Sequence, residues 1–111
     1  MTSVPRLKSK IRVQALLRRV DLAGVFAAVI KRGDPDAGAI AVKVFRDRDH
    51  VDLYTEARDA DGNHVWIRQF EEPVSEADVE AKIAGETKFD SDLWVIEIED
   101  REGRSFLEDE C

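Results

Sequence analysis

The sequence has little cysteine and histidine, the residues that form disulfides and most transition-metal sites. Its one cysteine, Cys111, cannot form an intrachain disulfide. The two histidines, His50 and His64, have no second histidine or cysteine at metal-ligand spacing, and we interpret both as ordinary surface residues. We therefore expect a cytoplasmic protein in a reducing compartment, with no cofactor and no structural metal ion.

Long apolar runs are also absent. The longest, from Leu22 to Ile30, has nine residues, whereas a membrane-spanning helix needs about 20. We interpret this run as a buried strand and expect no membrane association. With 43% apolar and 37% charged residues, the chain has the composition of a folded protein. We expect one domain over residues 1–111, with residues 1–8 and 108–111 frayed.

Basic residues become sparse after residue 33. Residues 1–33 contain eight Lys or Arg and a single acid, Asp21, whereas residues 34–111 carry a charge of −14, so the net charge is −7. This balance disfavours nucleic acid as a partner. The basic segment either binds an acidic protein partner or docks on the acidic surface of its own chain, and the sequence leaves both possibilities open.

The first predicted element is an amphipathic helix. Ser9 is its expected N-cap and Gly24 its stop signal. Basic side chains lie outside the apolar stripe and form a predicted basic helix face. The stripe consists of Val13, Leu16, Leu17 and Val20, and the basic face of Arg12, Arg18 and Arg19, with Lys8 beside them.

The remaining pattern predicts an α+β domain in which hairpins join most strands. A capping box at Ser75 begins a second helix that ends at Gly85 or at Phe89. We predict a single antiparallel sheet of five to six strands with both helices on one face, in the order α-β-β-β-β-α-β(-β). Because the first strand is apolar on both sides, we expect it to lie in the middle of the sheet. The strands are predicted at residues 25–30, 39–46, 51–56, 65–70 and 93–98, with a short sixth at 105–107.

Two predicted loops resemble functional motifs, but their residues favour an interpretation as structural turns. The segment from Asp59 to Asn63 begins like a calcium loop, yet the sixth position is His64 instead of glycine, and Asp61-Gly62 is typical of a hairpin. The loop from Gly33 to Gly38 lacks the Lys-Ser/Thr of a phosphate loop. We interpret it as a turn that is also placed to bind a ligand. No catalytic motif is present.

Carboxylates suggest one enzymatic alternative. Glu97 and Glu99 share a face of the last predicted strand, where they could converge with Asp34 and Asp36 on Mg²⁺. A second alternative is weak RNA binding. It uses the basic helix face or a sheet face bearing Lys43, Phe45, Tyr54, Trp66 and Arg68.

Three blocks of the sequence resemble a family of short alphaproteobacterial proteins, domain of unknown function 1491. The resemblance implies a bacterial cytosolic protein and supplies no activity, cofactor or catalytic residue. It places a shared site at the loop after the first strand and along the last strand. The blocks are residues 15–19, residues 26–39 and residues 89–101, and the candidate binding residues within them are Arg32, Asp34, Asp36, Trp94, Glu97 and Glu99.

These observations favour a small cytosolic protein-interaction module over an enzyme. The basis is the absence of an assembled catalytic set together with the apolar first strand and several aromatic residues at exposed strand positions. A protein partner or a second copy of the chain is the expected ligand.

Overall fold

A five-stranded sheet forms the middle layer of the molecule. The computed structural model describes residues 7–107, so the predicted fraying of the ends concerns mainly residues outside this range. The order of the elements agrees with the prediction. They are α1 (Ser9–Leu22), β1 (Phe26–Lys31), β2 (Ile40–Asp47), β3 (His50–Arg58), β4 (His64–Arg68), α2 (Glu76–Phe89) and β5 (Trp94–Glu99).

The sheet is mixed, with strand order β1-β5-β2-β3-β4. Most neighbours are antiparallel, but β2 and β5 are parallel, with Val42 opposite Ile96. The prediction of a purely antiparallel sheet was therefore wrong. The physical reason is α2, which carries the chain from β4 back across β3 and β2, so that β5 enters the sheet in the same direction as β2.

The two helices cover opposite faces of the sheet, which corrects the prediction that they share one face. Alternate residues of β2 point to opposite sides: Val42 and Val44 pack with Leu16 of α1, whereas Ala41 packs with Val79 of α2. A central strand that is apolar at both parities needs a cover on each side. We call the two sides the α1 face and the α2 face.

The first strand lies at the edge of the sheet instead of in its middle. In the described part of the chain, residues 7–107, β1 pairs only with β5, and Phe26 and Ile30 are exposed. A bulge between Val29 and Lys31 interrupts its register with β5. The apolar residues on both sides of this strand predicted that both of its faces are covered. In the structure, the strand lies at the edge of the sheet, and several of these residues are exposed.

Residues 105–107 form a packed segment instead of the predicted sixth strand. Phe106 adopts a positive φ of 62°, which a residue with a side chain adopts at a cost in backbone energy. Phe106 and Leu107 are both buried in the core on the α1 face, and this burial compensates that cost. The turn before them is held by Arg104, whose Nε donates to Asp100 at 2.8 Å.

The second helix begins as the capping box predicts. The Ser75 hydroxyl oxygen accepts a hydrogen bond from the Asp78 N–H at 3.2 Å. The helix continues through Gly85 and ends at Phe89. Between residues 7 and 107, neither helix has the length and apolar content needed to cross a bilayer.

Candidate functional site

The loop between β1 and β2 is docked on the start of β5. The Asp34 N–H donates to the Asp92 carbonyl at 3.0 Å, and Trp94 Nε1–H donates to the Asp34 carbonyl at 2.7 Å. The Arg32 guanidinium lies 5.8 Å from the centre of the Trp94 ring. The structure therefore brings together three of the predicted binding residues, in a contact between two of the blocks that carry the family resemblance.

Glycine is required on both sides of this loop. A Cβ added at Gly33 would lie 2.1 Å from the Asp92 carbonyl oxygen, and one at Gly38 would lie 2.3 Å from the same atom. Neither glycine has a positive φ. Close packing against the backbone, not backbone conformation, excludes a side chain here.

The same loop caps the N-terminus of α1. The backbone N–H groups of Ser9 and Lys10 donate to the carbonyls of Asp36 and Pro35, at 3.2 and 2.9 Å. Ser9 is the first helical residue instead of the predicted N-cap, and its buried hydroxyl donates to the Gly38 carbonyl at 2.6 Å. The loop carbonyls thus satisfy helix N–H groups that would otherwise be open to an anion.

A cavity of about 170 Å³ opens between this capped helix end, the loop and the ends of β3 and β4. Its walls come from three segments that are distant in the sequence. The residues that carry its charge are Arg12 on α1, Asp36 on the loop, Glu56 and Arg58 on β3, and His64 on β4, and alanines 37, 39 and 57 add small apolar walls.

The charged group at the base of the cavity is Glu56, whose side chain is only 4% exposed. Its Oε1 accepts a hydrogen bond from the Ile40 N–H at 3.1 Å. Its Oε2 forms ion-pair contacts with Arg12 and with Nδ1 of His64, the latter at 2.7 Å. Arg12 also lies 6.0 Å from the centre of the Trp66 ring. Three elements thus hold one buried carboxylate in place.

Sequence reasoning missed this group. His64 is an exposed residue, as predicted, but its contact with Glu56 was not predicted, and Glu56 was not singled out. The signal was the hairpin itself: Arg58 pairs with His64 and Glu56 with Trp66, so Glu56 and His64 are diagonal neighbours on one face. Without a register, the sequence could not reveal that contact.

The predicted basic helix face is divided in the structure. The Arg12 side chain is buried at the cavity, and Arg19 donates to the Phe106 carbonyl at 3.1 Å. Arg18 is exposed. Of the two interpretations of the charge asymmetry, Arg12 fits docking on the chain's own acidic residues, because it pairs with Glu56.

The four carboxylates of the magnesium hypothesis lie apart. Asp36 pairs with Lys8 at 3.6 Å on the surface, and Asp34 accepts from the Ala37 N–H within its own loop. Glu97 lies under α2 on the opposite side of the sheet from the cavity, and Glu99 is exposed at the end of β5.

The carboxylates that do cluster within residues 7–107 surround a lysine. Oxygen atoms of Glu76, Glu80 and Glu97 lie within 4.8 Å of one another. Lys43 on β2 is 2% exposed, and its Nζ lies 2.9 Å from both Glu76 and Glu97 and also contacts Glu80. The ammonium group therefore occupies the position that a metal ion would take among these oxygens.

The environment of Lys43 strengthens its positive charge. Burial on its own lowers the pKa of the amine, but hydrogen bonds with Glu80, Glu76 and Glu97 outweigh that effect and raise it well above its ordinary value. Lys43 is thus a fixed cation that fastens α2 to the sheet, not a nucleophile.

The aromatic residues of the RNA hypothesis are divided between the two faces. Lys43 and Phe45 point to the α2 face, whereas Tyr54, Trp66 and Arg68 lie on the α1 face. Tyr54 and Trp66 pack against the core on that side, and Arg68 pairs with Asp52 at 2.8 Å.

Comparison with known proteins places these observations in a family. The model of the family described as "Protein of unknown function (DUF1491)" matches residues 7–108. The chain belongs to the DUF1491 family. The resemblance of the three sequence blocks is thereby confirmed. No curated protein matches the chain.

Solved structures of DUF1491 proteins share this fold. A crystal structure of a family member from Caulobacter crescentus CB15 has 42% sequence identity and a TM-score of 0.83, and the match covers 92% of this chain and 95% of that one. An NMR structure of a DUF1491 protein from the same organism has 39% identity and a TM-score of 0.83, with coverage of 93% and 94%. A solution structure of a protein from A. tumefaciens has 36% identity and a TM-score of 0.78, with 92% of both chains covered.

Proposed function

We propose that this chain is a non-enzymatic, cytosolic protein-interaction module and that the free edge of β1 receives its partner. The observation that carries the proposal is the exposure of an apolar edge strand. In β1, Phe26 is 59% exposed, Ile30 57% and Val29 36%. Soluble proteins protect edge strands with charges, prolines or covering segments, because unpaired strand edges bind other strands.

The other edge of the sheet provides a comparison within the molecule. β4 is also an edge strand, but it carries His64 and Arg68, and a polar hairpin precedes it. Such an edge resists pairing with another chain. The contrast between the two edges supports a specific use for β1.

The partner that β1 fits is a second copy of the chain. In an antiparallel pair centred on Ala28, the two alanines face each other, and Phe26 of each copy lies near the bulge at Ile30 of the other. Large apolar pairs at both ends of a small centre favour such a ladder. A twofold axis makes this contact self-complementary.

The charges at the two ends of β1 support the same arrangement. Lys31 and Arg32 lie at its C-terminal end, whereas Asp21 precedes its N-terminal end and Glu99 lies beside Phe26 on β5. Antiparallel pairing brings the basic end of one copy to the acidic end of the other. Because the bulge limits the ladder to a few residues, we expect an interface below about 1,000 Å² and a dissociation constant in the micromolar range or weaker.

Sedimentation measurements over a range of protein concentrations test this proposal. We expect a reversible dimer for the wild-type chain, and for Ile30→Lys a dissociation constant at least about tenfold higher, since a charge enters the apolar ladder. The matched control is Ile67→Lys, which changes an isoleucine that is 46% exposed on the opposite edge and should leave dimerisation unchanged.

Disulfide trapping tests the register. In a Cys111→Ser background, Ala28→Cys places two thiols across the twofold axis, where we expect rapid oxidation to a covalent dimer. Ala81→Cys, on the exposed side of α2, is the control. Monomers at every concentration, together with equal oxidation rates for the two cysteine variants, would contradict the proposal.

The metal-dependent and RNA-binding alternatives have less support. The carboxylates and aromatic residues on which they depend lie on separate surfaces, whereas the exposed residues of β1 form one continuous strand.

A further inference from the structure

We infer that the cavity at the N-terminal end of α1 is a binding site for a small organic carboxylate with a short apolar chain. The inference is independent of the β1 edge. It rests on the charge that remains uncompensated in the cavity, on the size and chemistry of the walls and on the rigidity of the base.

One basic side chain of the cavity, Arg58, has no carboxylate partner among residues 7–107. Glu56 is paired with Arg12, and Asp36 with Lys8. Within residues 7–107, Arg58 makes one long contact, from Nη1 to the Gly62 carbonyl at 3.4 Å. A carbonyl does not neutralise a guanidinium, so Arg58 is available to an anion.

His64 adds a second donor. Its Nδ1 is held by Glu56 at 2.7 Å, which leaves Nε2 as the ring nitrogen that a ligand can reach. A ring N–H at Nε2 donates to a ligand carboxylate. Arg58 and His64 are opposite each other in the β3–β4 ladder, so both can contact one carboxylate.

The volume and the walls limit the rest of the ligand. A cavity of about 170 Å³ is small, since pockets for drug-sized ligands have roughly 300–1,000 Å³. This size suits a short-chain acid. Ala37, Ala39 and Ala57 offer apolar surface for the chain of the ligand.

The base of the cavity is preorganised. The Ile40 N–H and Arg12 fix Glu56, and the loop wall is fastened by the hydrogen bond between Trp94 and Asp34. A site that is ordered before binding spends little free energy on ordering the protein when the ligand arrives.

The test is a titration of the full-length, ¹⁵N-labelled chain with sodium butyrate at constant ionic strength, followed by amide chemical shifts. We expect saturable shifts at residues 37, 39 and 57, with a dissociation constant on the order of 1 mM for so small a ligand. Arg58→Gln and His64→Gln should each weaken binding at least about fivefold. Arg48→Gln, which changes an exposed arginine outside the cavity, should have no effect.

Two further probes define the ligand class. n-Butylamine has the same chain with the opposite charge and should cause no saturable shift, and inorganic phosphate should bind more weakly than butyrate. Non-saturating shifts, binding unaffected by both cavity variants, or equal binding of phosphate and butyrate would overturn the inference. Because Arg58 is exposed and its loss leaves the core intact, the Arg58→Gln result remains interpretable if His64→Gln perturbs the fold.

Discussion

At the scale of single residues, two buried charges connect the helices to the sheet. Lys43 lies on the α2 face and Glu56 on the α1 face, and each has three partners. A buried charge is tolerated only when it is paired and hydrogen-bonded. Each of these groups therefore specifies which element packs over it: α2 over Lys43, and α1 over Glu56.

Lys43→Met should destabilise the protein by about 2–3 kcal/mol, because three carboxylates lose their shared cation. The measurement is the free energy of unfolding in urea. Lys82→Met is the control, since Lys82 makes only an exposed contact with Glu86 at 3.7 Å and its loss should cost less than about 0.5 kcal/mol. Equal stability of Lys43→Met and the wild type would show that the cluster does not fasten α2.

Residue-level prediction from the sequence succeeded for local chemistry and for the family blocks. Ser75 acts as the predicted cap, and the family indicated by the three blocks is confirmed. It failed for Glu56 and His64, because their contact depends on a strand register that no local pattern encodes.

At the scale of elements, the loop between β1 and β2 is the connection with the tightest steric requirements. It crosses β5, caps α1 and forms one wall of the cavity. Its two glycines lie against the backbone of the segment before β5. If the loop moved away from β5, it would lose this packing, the cap on α1 and the wall of the cavity.

Two glycine-to-alanine variants are expected to change stability in opposite directions, one in this loop and one, as a comparison, in α2. Gly38→Ala forces a Cβ to within 2.3 Å of the Asp92 carbonyl, and we expect a loss of about 2 kcal/mol or more from the resulting overpacking. Gly85 lies inside α2, and apart from the adjacent residues and the backbone of the helix itself, no described atom lies within 4 Å of an added Cβ. The higher helix propensity of alanine in Gly85→Ala should therefore stabilise the chain by about 0.5–1 kcal/mol. Thermal unfolding of both variants gives the comparison, and a neutral Gly38→Ala would refute the steric argument.

The existence and type of the elements could be predicted from periodicity, whereas their arrangement could not. Both helices and all five strands were predicted within a few residues. The place of β1 was missed because its pattern fits a doubly covered strand as well as an exposed edge. Which face each helix covers depends on the direction of the crossover, and that is a long-range property.

At the scale of the whole molecule, the sheet has a helix on each side, and the C-terminal segment completes the layer on the α1 face. Phe106 and Leu107 belong to the same core as Val13 and Leu16 of α1. The interaction between Asp100 and Arg104 positions this segment. Arg104 lowers the pKa of Asp100 by hydrogen bonding, and although burial acts in the opposite direction, the backbone N–H groups of residues 104 and 102 lower the pKa further.

Asp100→Asn should therefore reduce stability in a pH-dependent manner. The pKa of Asp100 is lower in the folded than in the unfolded chain, so its contribution is fully present above about pH 4 and is lost as the pH falls through the folded-state pKa. We expect a difference of about 1–2 kcal/mol from the wild type at pH 7, shrinking toward zero at the lowest pH values where the fold persists.

Urea unfolding at several pH values measures this difference. Glu102→Gln is the control, because Glu102 contacts the same Arg104 at 3.0 Å from an exposed position and should cost less than about 0.5 kcal/mol at any pH. A pH-independent effect of Asp100→Asn would assign its role to packing instead of charge.

The position of β5 has a consequence for biosynthesis. The neighbour that β1 requires lies more than 60 residues further along the chain, with Phe26 opposite Glu99. During translation, β1 therefore has unpaired backbone groups and exposed apolar side chains until β5 has emerged from the ribosome. Contacts that join such distant segments slow folding. Nascent chains of this protein should consequently be clients of chaperones that shield apolar segments during translation.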